Sequence, residues 1–275
     1  MPRRRRYESN NAWVWICRVV LYPLTRLLGR RTFLGVDKLN RSGPMIVVAN
    51  HISHLDPIYD AVLIDKAGRL PRIMAKASLW KLPVVGAALR GTGQVPVYRA
   101  GEDGPSAVDA AREVLAAGGV VLIYPEGTVT REPDFWPMRP RPGVAALALS
   151  GDYPVVPVVH WGTQRVYNSY RTAGGRKLRL WPRQDVVVAV GDDIDLSRFR
   201  SAGGVAAGSQ LDAKAVLGAS LQIMNSIKDQ LGQIRGEQPP AALFKPAKAD
   251  GRNGKTDSSG SNGSNGNTGS TGAGR

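Results

Sequence analysis

Short apolar runs that end abruptly in polar residues constrain this chain most. Met45-Ile46-Val47-Val48-Ala49 leads straight into Asn50-His51-Ile52-Ser53-His54-Leu55-Asp56-Pro57, and residues 120–124 lead into Pro125-Glu126-Gly127-Thr128 in the same way. Runs so rich in β-branched residues read as buried strands, the pattern of a parallel sheet. Sheets of that kind present their binding groups at the carboxyl ends of the strands. Further strand candidates lie at 72–75, 95–98, 155–159 (despite Pro157), 177–181 and 186–190. Helical patterns fall between them at 58–68, within 79–89, at 107–117 and at 143–149. This order predicts an α/β domain with a largely parallel central sheet, surrounding helices and some additional strands. The strand order stays open.

The ends of the chain read differently. Residues 1–31 are expected to form a basic arm and a membrane-associated amphipathic helix, residues 32–236 the α/β domain, and residues 237–275 a disordered Gly/Ser/Asn-rich tail. Before that tail, residues 212–234 carry the apolar spacing of a long amphipathic helix. In the N-terminal helix, Trp13, Trp15 and Tyr22 suit a boundary between water and acyl chains, and Arg18, Arg26, Arg30 and Arg31 suit lipid phosphates. The plainer alternative is that this helix packs on its own domain. Arg18 and Arg26 interrupt the apolar run, which makes it a poor membrane span, and nothing in it resembles a signal-peptide cleavage site.

The first 41 residues hold ten Arg or Lys against only Glu8 and Asp37. Such a field attracts anionic lipid, nucleic acid or phosphorylated metabolites without choosing among them. No nucleic-acid recognition module is apparent, so no nucleic-acid partner is expected. Cys17 is the sole cysteine, which excludes an intramolecular disulfide and leaves cysteine-ligated zinc or iron–sulfur sites without support.

The two polar loops carry the chemistry. His51 falls at the end of a strand, and Asp56 falls near a helix N-terminus, where the helix dipole favours an ionised carboxylate. A histidine base needs an acceptor on its second ring nitrogen, and a carboxylate five residues on can supply it. The competing readings are a capping or core histidine, an ordinary helix-capping aspartate, or a metal site built from His51, His54 and Asp56. In the second loop, Gly127 permits a positive φ or the close approach of a ligand. Glu126 can accept from a substrate hydroxyl, and Arg131, with Arg99 from another strand end, can hold a phosphate. Ordinary ion pairs are the alternative for both arginines.

Together these segments resemble the glycerophospholipid acyltransferase family, in particular bacterial 1-acyl-glycerol-3-phosphate acyltransferases. The family's Asn-His-x-x-x-x-Asp signature matches Asn50, His51 and Asp56, with its common Ser53 and Pro57. Its second region is similar to Lys76, Trp80, Pro83, Gly86, Gly93 and Arg99. Its Pro-Glu-Gly-Thr matches Pro125, Glu126, Gly127 and Thr128, and its apolar Val-Pro-Val strand matches Val156-Pro157-Val158. The family commonly places arginine directly after Pro-Glu-Gly-Thr, where this chain has Val129 and then Arg131 two positions later.

The resemblance implies transfer of a fatty acyl group from an acyl thioester to lysophosphatidic acid, giving phosphatidic acid. His51 is then the general base and Asp56 its orienting partner. Glu126, Gly127 and Thr128 shape the acceptor site, and Arg99 and Arg131 bind its phosphate. Neither a metal nor a redox cofactor is expected; acyl-CoA or acyl carrier protein presents the donor thioester. The absence of Gly-x-Ser-x-Gly argues for direct transfer rather than an acyl-enzyme. The expected setting is the cytoplasmic face of the cell membrane, peripherally bound to anionic lipids. Donor type, chain length, the glycerol position acylated and oligomeric state are not legible. The rival readings are transfer to another lysophospholipid or hydroxylated acceptor, thioester hydrolysis, and non-enzymatic binding to anionic membranes.

Overall fold

A computed structural model describes residues 11–98, 106–170, 178–200 and 212–246. Among these, seven strands form one sheet: β1 (Arg30–Leu34), β2 (Met45–Ala49), β3 (Pro71–Lys76), β4 (Val95–Val97), β5 (Val120–Ile123), β6 (Val155–Trp161) and β7 (Asp185–Val190). Their spatial order is β1-β7-β6-β2-β5-β3-β4. Every neighbouring pair is parallel except β6 and β7.

β2 lies at the centre with all five residues buried. Val48 is level with Ile123 of β5 on one side and Pro157 of β6 on the other. The carboxyl ends of these three strands therefore open side by side, which is what assembles the site. Pro157 is tolerated because it sits where the β6–β7 ladder ends: its carbonyl accepts from Gly191 (2.8 Å), and no further ladder bond needs its missing N–H.

The described helices are α1 (Ala12–Leu28), α2 (Asp56–Lys66), α3 (Pro83–Gly91), α4 (Ala107–Ala116), α5 (Gly143–Leu149), α6 (Thr163–Val166), α7 (Ser197–Arg200) and α8 (Ala213–Arg235). Side chains alternate across each strand, so β2 feeds two cores. Ile46 and Val48 join Ala111, Leu115, Leu147, Ile223 and Ile227 from α4, α5 and α8. Met45, Val47 and Ala49 join Leu28, Leu63 and Ile64 from α1 and α2.

Three departures from the sequence expectations have plain causes. Arg30 and Arg31, assigned to the membrane arm, open the edge strand β1; its alternating exposure and charged start hide it from a search for apolar runs. Arg30 is bound by Asp185 (2.6 Å), and Arg31 donates to Thr25. The strand expected at 177–181 is, within its described part, only a bridge from Leu178 to Tyr167, and Trp181 is 83% exposed. The tail does not begin at 237. Phe244 bridges to Met138 and accepts from the Arg139 N–H (2.9 Å), and Lys228 Nζ donates to the Pro240 carbonyl (3.0 Å), so residues up to 246 dock on the domain. Residues 1–10 and 247–275 lie outside the described residues.

Helix α1 is held by its own domain. Val14, Thr25 and Leu28 are buried, Arg18 Nε donates to Asp65 Oδ1 (2.8 Å), and the Tyr22 hydroxyl donates to Asp65 Oδ2 (2.8 Å). Arg18 and Tyr22, expected to meet lipid, thus face α2, because Asp65 is an almost buried carboxylate needing donors. Trp13 packs against Gly91 of α3, where a Cβ would meet its ring at 2.1 Å. The opposite face stays apolar and open, with Trp15 63%, Val19 53% and Leu27 68% exposed.

Candidate active site

His51 leaves the end of β2, and Asp56 opens α2 with Pro57 behind it. The intervening turn brings the pair together: His51 Nδ1 lies 2.9 Å from Asp56 Oδ2. The same oxygen accepts from the Ile52 and Ser53 N–H groups (2.7 and 2.8 Å), and the Thr163 hydroxyl donates to Oδ1 (2.6 Å). Burial alone would raise the Asp56 carboxyl, but the His160 charge, the His51 bond and charge, and Thr163 together hold it below the usual carboxylate range. The result is an ionised carboxylate fixing one edge of an imidazole. His51 Nε2 makes no hydrogen bond to the described residues, and the side chain stays 12% exposed. Such a ring can take a proton from a bound hydroxyl.

The second loop is tied to the first at three points. The Thr130 N–H donates to the His51 carbonyl (2.7 Å), Glu126 Oε1 accepts from the His51 N–H (3.4 Å), and the Tyr124 ring stacks on the His51 ring at 4.2 Å. Glu126 Oε2 accepts from the Met138 N–H (3.0 Å) and the residue is only 4% exposed. Both oxygens are committed to backbone, so the expected contact of Glu126 with an acceptor hydroxyl is replaced by a tie between the loops. Gly127 has φ +70°, so the backbone calls for glycine, and a Cβ there would displace the flexible Arg141 side chain, whose Nε would lie 2.6 Å away.

Thr128 and Arg131 are exposed, and Arg131 lies against the Tyr170 hydroxyl. Val129 is buried and its carbonyl accepts from that hydroxyl. Arg99 lies outside the described residues. His54 turns aside: its N–H donates to Ser169 (2.9 Å), and its ring sits edge-on to His51 at 6.3 Å. Among the described residues, no group of three His, Cys, Asp or Glu side chains is arranged to hold a metal ion.

Sequence reasoning missed Thr163, Asp60 and His160, and passed over Tyr124. His160 lies near the carboxyl end of β6 and Thr163 follows it, so the strand-end rule applied to a third strand would have flagged them. No histidine besides His54 is near His51 in sequence, yet the sheet brings His160 against Asn50, the residue before it.

Burial pushes the Glu126 carboxyl from the usual 4.5 up to about 8, against its backbone hydrogen bonds. The folded state then keeps a proton that the unfolded chain releases. Stability from this group is complete below about pH 4.5 and declines as pH rises toward about 8. Buried His160, raised to about 9 by Asp60 and Asp56 against its desolvation, acts in the same direction at higher pH. Melting of the parent is therefore expected at lower temperature near pH 8 than near pH 5. Glu126→Gln should shrink that difference, and equal differences in parent and variant would refute the buried neutral carboxyl.

The acyltransferase family model matches residues 30–161, which span β1 to β6 and hold both loops. Over this segment the chain is similar to that acyltransferase family. It is 29% identical over 187 residues to a 1-acyl-sn-glycerol-3-phosphate acyltransferase of Chlamydomonas reinhardtii, covering 68% of this chain and 51% of that one. It is 29% identical over 167 residues to the chloroplastic enzyme BAT2 of Brassica napus, of the same name, covering 59% and 45%. The chain thus spans about half the length of these curated relatives. Its fold is that of the crystal structure of the 1-acyl-sn-glycerophosphate (LPA) acyltransferase PlsC from Thermotoga maritima, with a TM-score of 0.59 at 19% identity over 82% of this chain and 81% of that one.

Proposed function

We propose that this protein transfers a fatty acyl group from an acyl thioester to the free hydroxyl of 1-acyl-glycerol 3-phosphate, forming phosphatidic acid. One observation carries the reading: a buried, ionised Asp56 holds His51 by Nδ1 and leaves Nε2 open, inside the segment matched to the acyltransferase family. Neutral His51 accepts the hydroxyl proton through Nε2 as the acceptor oxygen attacks the thioester carbonyl. Asp56 stabilises the imidazolium that forms. The tetrahedral intermediate then expels the thiolate, His51 returns the proton to sulfur, and the products are an ester and a free thiol.

Direct transfer fits the neighbouring hydroxyl. Ser53 is fully buried, donates to the Tyr167 carbonyl (2.8 Å) and accepts from the Leu55 N–H (3.2 Å), which leaves it committed elsewhere. The names of the relatives favour a lysophosphatidic acid acceptor. Exposed Arg131, with Arg99, is assigned to its phosphate, and acyl-CoA or acyl carrier protein is assigned as the donor.

Mass-spectrometric assay of acyl transfer to 1-acyl-glycerol 3-phosphate, beside phosphate-free acceptors and a no-acceptor control, tests this. Phosphatidic acid is expected from at least one of the two donors. Arg131→Ala should lose about tenfold or more on the phosphorylated acceptor alone. Thioester cleavage without any lipid product would replace the reading with hydrolysis.

The open face of α1 is assigned to an anionic membrane surface, at which the protein is peripheral. No described helix is long and apolar enough to cross a membrane. Paired Trp15→Ser and Val19→Asp substitutions touch only exposed positions. They should weaken binding to phosphatidylglycerol-containing vesicles by about tenfold or more, since each large apolar side chain contributes roughly 1.5–3 kcal/mol on burial. Unchanged vesicle binding would remove α1 as the contact.

A further inference from the structure

We propose that Asn50, His160, Asp60 and Tyr124 form a closed brace that fixes the plane of the His51 ring, with Tyr124 as the positioning residue in contact with it. The proposal rests on the reading of His51 as the base.

The brace can be followed atom by atom. Asn50, which immediately precedes His51, exchanges two hydrogen bonds with the backbone of His160 on β6. Its Oδ1 accepts from the His160 N–H (2.7 Å), and its Nδ2 donates to the His160 carbonyl (3.1 Å). His160 Nε2 meets Asp60 Oδ1 on α2 (2.8 Å), and the Tyr124 hydroxyl donates to Asp60 Oδ2 (2.6 Å). The Tyr124 ring then lies over the His51 ring at 4.2 Å with an interplanar angle of 21°. The path leaves the chain at residue 50 and returns at residue 51.

Two constraints on one ring make the brace consequential. Asp56 grips His51 at a single atom in the ring plane, which leaves the ring able to tilt about that bond. A stacked neighbour presses on the face and opposes tilt. That neighbour is useful only if it is itself fixed, and the Tyr124 hydroxyl is anchored to a carboxylate that cannot move. Asp60 is fully buried with donors on both oxygens, and His160 is fully buried beside it. Removing either donor would leave the buried Asp60 carboxyl with a single partner, so each link helps to hold the next. His160 Nδ1 is buried without a partner, so the histidine is kept for its Nε2 link and not for full satisfaction of its ring.

The test compares the full-length parent with Tyr124→Leu and Tyr124→Phe. It measures kcat and KM of acyl transfer, melting temperature, and the NMR positions of the His51 ring protons. A geometric error of about 1 Å costs on the order of 100-fold. Tyr124→Leu should therefore lose about 100-fold in kcat, with KM within about twofold. Tyr124→Phe keeps the stack and loses the anchor, so it should recover most of that loss while remaining below the parent. The His51 ring protons should lose their ring-current shift in Tyr124→Leu and retain a reduced one in Tyr124→Phe. A role in stability alone would lower the melting temperature and leave kcat per folded enzyme at the parental value.

That last pattern, or ring protons at the same position in parent and folded variants, would overturn the brace. If Tyr124→Leu does not fold, Tyr124→Phe with parental kcat and ring positions overturns it equally. A parent inactive with every acceptor would refute the proposed function, and the ring positions would still decide the brace.

Discussion

Replacing His51 with alanine is expected to lower kcat by about three to four orders of magnitude while the protein stays folded. General-base catalysis supplies about 10²–10⁴ by itself, and the ring also returns the proton to the leaving thiolate. The fold should survive because Asp56 keeps three donors after the ring is gone, from the Ile52 and Ser53 N–H groups and the Thr163 hydroxyl. The carboxylate is then still paired, so no uncompensated charge is left inside. Single-turnover acyl transfer with circular dichroism melting checks both halves. A folded His51→Ala protein with parental turnover would end the general-base assignment.

The second large effect belongs to Asp56→Asn. An asparagine oxygen can take the place of Oδ2 and accept from Ile52 and Ser53, and its amide can donate toward Thr163, whose hydroxyl also accepts. Geometry is therefore largely preserved, at a cost of about 1–3 kcal/mol for weaker bonds in place of charge-assisted ones. What disappears is the negative charge that stabilises the His51 imidazolium, and kcat should fall by about 10³–10⁴. Asp56→Ala would instead strand two N–H groups and a hydroxyl in the interior, and unfolding is the expected outcome. Comparing the two variants separates charge from packing: a folded Asp56→Asn enzyme with near-parental kcat would show that orientation alone suffices.

These expectations rest on features of unequal visibility in the chain. The His51–Asp56 contact is local, spanning five residues across a strand-to-helix turn, and such contacts leave a spacing to be read. Gly127 was legible for the same reason, since a tight turn within one loop demands its φ +70°. Glu126 was legible as a residue that matters but not in its direction. Only the packed loop turns it toward the Met138 and His51 N–H groups. Arg18 and Tyr22 were misassigned because an amphipathic helix carries no mark of which polar group finds a buried partner on another helix. Asp65, 47 residues from Arg18, decided that.

The sequence by itself determined that this would be an α/β domain whose strand ends carry the chemistry, because short β-branched runs are stable only when paired and covered on both faces. It also made a His51–Asp56 pair available, because a five-residue strand-to-helix turn can fold the two together, while the folded loop decided that they meet at 2.9 Å. The tertiary structure alone decided the strand order, the recruitment of Arg30–Leu34 as an edge, and the convergence of Thr163, His160, Asp60 and Tyr124 around those two residues. Asn50 and His160 meet across 110 positions. Backbone hydrogen bonds between strands are the same for every side chain, so they align distant residues without leaving a code in either one.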